Sequence, residues 1–169
     1  MKFISKIIFI VIFALCSINV FSNAFAQTAD TTITRELTGK WTAVSVKLET
    51  KGRISDETKA DIQQTNGKIN QTNKALKSGS LKMILEFHAD KKYTYKLVEN
   101  DSAFYTENGT WRIKDAVLKT KPTDQKESVL DGNKITRINI VNFVQRVNVF
   151  TTDAEVYEYI ESEKLPDEE

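Results

Sequence analysis

From Gly39 onward the chain alternates apolar and polar residues in short runs with a period of two, the pattern of strands that bury one face. The first run spans Gly39 to Leu48, where Val44, Val46 and Leu48 alternate with Ser45 and Lys47. Trp41 is out of phase with them, so a bulge near Thr42 is expected. A second run, Leu81 to His88, puts Leu81, Met83, Leu85 and Phe87 on one face. Residues 89–92 turn the chain, and Tyr93, Tyr95 and Leu97 share a face of the third strand. Asn108-Gly109 reads as the turn into a fourth strand that carries Trp111 and Ile113. Further strands are expected at about 116–121, 134–142, 146–151 and 155–161, with mostly loop over 122–132. In the last of them Val156 and Ile160 oppose Tyr157 and Tyr159.

One segment breaks this period. Residues 55–79 are rich in Lys, Gln, Asn, Asp and Thr, and Ile62, Ile69 and Leu76 recur seven apart, a single narrow apolar stripe on a helix. Ser55 followed by Asp56 and Glu57 makes an N-cap with acids in the first turn. Asn66-Gly67 lies midway and predicts a kink or two short helices. The stripe suits a helix laid over other structure. It lacks the second apolar position per heptad that a coiled coil needs.

About eight short strands, most joined by tight turns and without a recurring strand–helix–strand unit, predict an antiparallel meander. Closing the meander into a barrel removes its edges. The expected fold class is therefore all-β: a small antiparallel β-barrel of about eight strands, with one polar helical insert (55–79) between the first two. An eight-stranded barrel is filled by side chains or holds one small ligand.

Ahead of this pattern Lys2 and Lys6 precede a wholly apolar run from Ile7 to Leu15, about the length of a signal-peptide core and too short to span a bilayer. Ala24-Phe25-Ala26 has the form of a cleavage site. Residues 1–26 are thus read as a signal peptide cut after Ala26, leaving a periplasmic or secreted bacterial protein with no stable membrane insertion. Residues 27–35 read as a flexible lead-in, 36–162 as the barrel domain and 163–169 as a frayed acidic tail. The single cysteine, Cys16, falls in the leader, so the mature chain has no intramolecular disulfide or thiolate metal site. Without the leader, 22 basic residues face 23 acidic ones, and no global field attracts nucleic acid or anionic lipid.

Four stretches together resemble the lipocalin superfamily, and in particular small secreted lipocalin-like domains of Bacteroidota. They are Leu37-Thr38-Gly39-Lys40-Trp41 just after a leader, the polar helical insert, the hairpin from Leu85 to Tyr95, and Asn108-Gly109-Thr110-Trp111-Arg112-Ile113. The resemblance implies a Trp at one barrel end with an arginine from near the last strand packed over it. No arginine follows Arg146, so that group is missing here or supplied from elsewhere.

A search for chemistry returns little. His88 is the only histidine, and its parity sets it opposite Met83, Leu85 and Phe87, toward solvent. One histidine without cysteine cannot supply the usual zinc ligand sets. The carboxylate pairs Asp56/Glu57, Glu99/Asp101 and Glu158/Glu161 read as solvated surface, and no glycine-rich phosphate loop is present. No catalytic residue, metal or cofactor is assigned.

The aromatic and apolar inward positions carry the functional expectation. Trp41, Met83, Leu85, Phe87, Tyr93, Tyr95 and Trp111 are expected to line the barrel interior, where a non-enzymatic protein would hold a small hydrophobic molecule. Two other classes stay open: a solid barrel acting as an envelope protein-interaction or inhibitor module through residues 55–79 or its loops, and an enzyme using the barrel as a scaffold for His88 and carboxylates at its mouth.

Overall fold

The strands β1 (Gly39–Lys51), β2 (Leu81–Phe87), β3 (Lys92–Glu99), β4 (Ser102–Lys114), β5 (Val117–Pro122), β6 (Lys134–Ile138), β7 (Asn142–Phe150) and β8 (Glu155–Lys164) follow one another around a closed antiparallel barrel. The computed structural model describes residues 29–124, 127–139, 141–150 and 155–166. The expected leader and its cleavage site lie outside the described residues. Among the described residues two helices accompany the barrel: α1, residues 29–37, and α2 (Asp56–Ser78) between β1 and β2.

The bulge that the phase of Trp41 requires falls at Val44, where the β1–β8 register slips between Ala43 and Ser45. It lets Trp41 and Ala43 below the bulge, and Val46 and Leu48 above it, face one interior. That pairing continues from Trp41–Lys164 to Lys51–Glu155. By contrast, β1 meets β2 only from Gly39–Phe87 to Thr42–Ile84. Beyond Thr42 the helix takes over: the Asn73 amide accepts from the Val46 N–H at 2.8 Å and donates to the Val46 carbonyl at 2.9 Å. Asn73 thus satisfies a strand's main chain where a neighbouring strand is missing.

The helix begins as expected, with Ser55 Oγ accepting from the Thr58 N–H at 3.1 Å, and ends on Gly79 in the left-handed region. Ile69 is buried and the flanking Ile62 and Leu76 are half-buried, so the narrow stripe rests on the barrel. Of the kink or two short helices expected at Asn66-Gly67, the two separate helices do not form; one helix runs through. Packing along the stripe outweighs the modest helix cost of one glycine, about 1 kcal/mol.

Three boundaries differ from the sequence reading. The β3–β4 turn is at Asn100-Asp101, both with positive φ, and Asn108-Gly109 lies inside β4. A Cβ on Gly109 would stand 2.3 Å from the Lys121 carbonyl oxygen, so this glycine serves the close approach of β5 rather than a turn. The strand expected over 134–142 stops at Ile138, because Asn139 turns the chain by accepting from the Val141 and Asn142 N–H groups. Of the tail expected to fray from Glu163, Glu163 and Lys164 instead finish β8 and the Leu165 N–H donates to the Lys40 carbonyl, while 167–169 lie outside the described residues.

Of residues 27–35, expected as a loose lead-in, 29–35 belong instead to α1, which lies across one end of the barrel. The Asp30 carboxylate accepts from the Asp115 and Ala116 N–H groups, both at 2.9 Å, holding the β4–β5 turn. Leu37 is fully buried, and its carbonyl accepts from the indole N–H of Trp41 at 2.8 Å. This end is closed. The core behind it contains Phe87, Tyr93, Trp111, Leu118, Ile135 and Phe143.

Candidate ligand site inside the barrel

The register aims all seven sequence-predicted lining residues inward. Trp41 lies opposite Leu85, Leu85 opposite Tyr95, Phe87 opposite Tyr93, and Met83 opposite Leu97, while Trp111 sits in the buried core. They divide into two groups. Trp41, Leu85, Phe87, Tyr93 and Trp111 are packed out of reach of solvent at the closed end. Trp41 meets Phe143 edge-on at 4.9 Å between ring centroids, and Phe87 lies 4.9 Å from Trp111. These side chains fill space. Met83 and Tyr95 lie nearer the far end and stay partly accessible, together with Leu97, Tyr105, Val147 and Ile160.

Two lysines cover the tryptophans. Lys164 Nζ is 5.6 Å from the Trp41 ring centroid, and Lys91 Nζ is 4.5 Å from that of Trp111. A cation from the end of the last strand therefore occupies the place over Trp41 that the resemblance gives to an arginine.

Glu107 is the most deeply buried carboxylate among the described residues, with 1% of its surface exposed. Its parity follows from Trp111 and Gly109 on β4, which face inward. It accepts from the hydroxyls of Tyr93, Ser128 and Tyr105 (the last at 2.7 Å) and from the Val129 N–H at 3.3 Å. Burial pushes its carboxyl up, but the bonds from Ser128, Tyr93, Tyr105 and Val129 prevail and hold it below the ordinary carboxylate value. The same burial, and the bond to Glu107, raise Tyr93 well above the usual phenol.

This arrangement draws the β5–β6 loop into the wall. Between β5 and β6 the ladder holds only at Val117 opposite Lys134. Ser128 and Val129 bind Glu107, Leu130 enters the core, and Asp131 accepts from the Thr120 N–H at 2.9 Å, so the loop fills the seam.

Glu158 departs from the sequence reading, which placed it on solvated surface. It lies opposite Leu48 and Val147, in phase with buried Val156 and Ser162, and so faces the interior. Burial pushes its carboxyl up, and its charge helps raise Tyr95, which burial chiefly drives to about 12. Gln145, one strand away, is 5% exposed, and its Oε1 is buried without a hydrogen-bond partner. Sequence reasoning passed over Glu107 and Gln145 and set Glu158 on the surface. Parity carried the signal for both acids, since Glu107 shares a face with Trp111, and Glu158 with Val156 and Ile160.

Outside the barrel, His88 is exposed, with Nδ1 3.8 Å from Glu86 Oε1. Ser45, Lys47, Arg137, Tyr159 and Glu161 line a shallow polar groove of about 230 Å³ on the outer wall, where Arg137 pairs with Glu161 at 2.8 Å. Among the described residues no group of three or more His, Cys, Asp or Glu could hold a metal ion, and no helix is long and apolar enough to cross a membrane.

An up-and-down barrel of eight strands, plugged at one end by a helix and a tryptophan, with an amphipathic interior toward the other, defines a binding scaffold. The chain belongs to the lipocalin-like domain family, whose model matches residues 37–143, from the last residue of α1 to the second residue of β7. Proteins of this family are typically binding proteins rather than enzymes. No curated protein matches the chain closely enough to be named as a relative.

Proposed function

We propose that this is an exported, non-enzymatic protein that takes a small, mainly apolar molecule into the far half of its barrel. One observation carries the reading. Side chains that the register aims inward are sealed at the closed end, yet Met83, Tyr95, Leu97, Tyr105, Val147 and Ile160 remain partly accessible although they face the same interior. Accessible apolar surface on the inside of a barrel is what a ligand would cover. The sequence leader over residues 1–26 supports export, and the absence of a cysteine after Cys16 is compatible with an oxidising compartment.

Nile red, a neutral apolar fluorophore, tests the binding reading. A saturable rise in emission at one dye per chain is expected, lost when Met83→Trp adds bulk to the far half of the barrel interior. Emission that does not saturate, or that survives Met83→Trp in a folded variant, overturns the reading. Expression of the full chain with cell fractionation tests export: the expected mature N-terminus is Gln27, and an uncut cytoplasmic chain contradicts it.

A further inference from the structure

Two hydrogen-bond acceptors face the far half of the barrel without a donor. Gln145 Oε1 is buried and unpartnered, although 95% of the residue is removed from solvent. Glu158 makes no hydrogen bond or ion pair with any described residue, and it too faces inward. The two are diagonal neighbours on adjacent strands. Gln145 lies opposite Ile160, and Glu158 opposite Val147, so the two residues stand roughly 7–8 Å apart on one face, their Cβ atoms somewhat closer. A single small group can reach both.

The contrast with Glu107 is informative. That carboxylate is buried in the same interior, but three hydroxyls and a main-chain N–H saturate it, so it needs nothing from a ligand. Glu158 and Gln145 have no such supply. Buried polar groups are normally paired, so the buried Gln145 Oε1 points to a missing partner, and half-buried Glu158 places a charge beside it. None of the inward positions described in the far half is Lys or Arg; the one inward cation, Lys164, lies at the closed end over Trp41. An anionic head such as a fatty-acid carboxylate would meet Glu158 with no counter-charge.

Building on the apolar-ligand reading above, we infer that the bound molecule carries a primary or secondary ammonium on an apolar body, with the ammonium seated between Glu158 and Gln145. The ammonium donates to the carboxylate and to Gln145 Oε1, and both acceptors are then paired. The ring of Tyr95, which faces the same interior, offers a further face to the cation. Met83 and Leu97, paired across β2 and β3, cover the apolar body.

Calorimetric titration with decylamine, decanol and decanoate separates head group from chain. Decylamine is expected to bind at least about tenfold more tightly than decanol, and decanoate most weakly, because an ammonium pairs with the carboxylate charge while a hydroxyl only donates to it. Glu158→Gln should bring decylamine down to about the affinity of decanol. Gln145→Leu should weaken decylamine by a smaller factor. Equal binding of amine and alcohol by the native protein, or an amine preference that survives Glu158→Gln, overturns the head-group inference while leaving the apolar site standing. Failure of all three molecules to bind removes the apolar site and this inference with it. Glu158→Gln replaces an unpaired carboxylate with a neutral group of equal size, so its thermal midpoint should match or exceed the native one, which keeps the comparison sound.

Discussion

Lys164 lies over the indole of Trp41, and its Cε stands 2.7 Å from the point where a side chain on Gly39 would begin. The three residues form one joint where the first strand leaves α1 and the last strand ends. Gly39 is bare because the lysine stem occupies that space, and its φ of +130° suits only glycine. Lys164→Ala is expected to lower stability by about 1 kcal/mol through lost stem packing and cation–π attraction, and to change Trp41 emission. Lys164→Met should recover part of that loss. Guanidinium melts followed by fluorescence check both; a native midpoint in Lys164→Ala would show that the lysine only rests there.

The two mid-element glycines should respond in opposite directions. Gly109→Ala drives a methyl into the Lys121 carbonyl and the Pro122 Cα, both main-chain atoms, and is expected to cost about 1–3 kcal/mol or more. Gly67→Ala meets open space on a helix and should stabilise by roughly 0.5–1 kcal/mol. Thermal denaturation of the pair measures both signs.

Asn73 ties α2 to the upper half of β1. Asn73→Ala leaves the Val46 N–H and carbonyl without their partners and is expected to cost about 1–3 kcal/mol. Hydrogen exchange should quicken at the Val46 amide and along α2, while the amides paired at the closed end stay protected. Uniform acceleration over the whole barrel would show that the helix is not a separate unit.

Glu107 and Glu158 give the protein opposing responses to acid. Glu107 has a folded pKa below its usual 4.5, so its stabilisation is present above the unfolded value and is lost as pH falls through the lower folded one. Glu158 has a folded pKa raised by burial, so it favours folding most below the unfolded value, and that gain is lost as pH rises through the folded pKa. Stability should therefore rise from neutral pH toward the ordinary carboxylate range and fall below it. Glu158→Gln should flatten the upper arm and Glu107→Gln the lower one. Glu107→Gln should also lower stability by about 1–3 kcal/mol at neutral pH, since an amide NH₂ cannot accept from the tyrosines and Ser128. Urea unfolding across pH 3–8 (roughly the span of the two carboxyl transitions) checks each arm.

What the sequence made legible follows from where local physics decides. The period of two around Phe87, Tyr93 and Tyr95, the phase slip at Trp41 and the Ser55 cap all express short-range rules, and the barrel and the start of α2 follow from them. Asn108-Gly109 misled because a turn and a close strand crossing both call for glycine, and only the position of Lys121 tells them apart. Asn66-Gly67 misled because the contact that keeps the helix whole, between Ile69 and the barrel, is not local. The closed half of the candidate site was readable as apolar parity. Its polar half carried the same parity, but an isolated acid in a strand is normally on the surface, so parity alone did not decide it. That Glu107 finds Ser128 depends on a loop folding back across the seam between β5 and β6.

The strand order has a consequence for how the molecule forms. β1 and β8 are far apart in the chain, yet each is the other's longest-paired neighbour, from Trp41–Lys164 to Lys51–Glu155. Every hairpin from β2 to β5 can zip locally, but the ring cannot shut until the last ten residues of the final strand are available. Closure is thus the step with the greatest loop entropy, and it comes last. Until then β1 holds its inward face and Trp41 ready without a partner along most of its length. A chain cut short after β7 would keep two open edges that invite pairing between molecules.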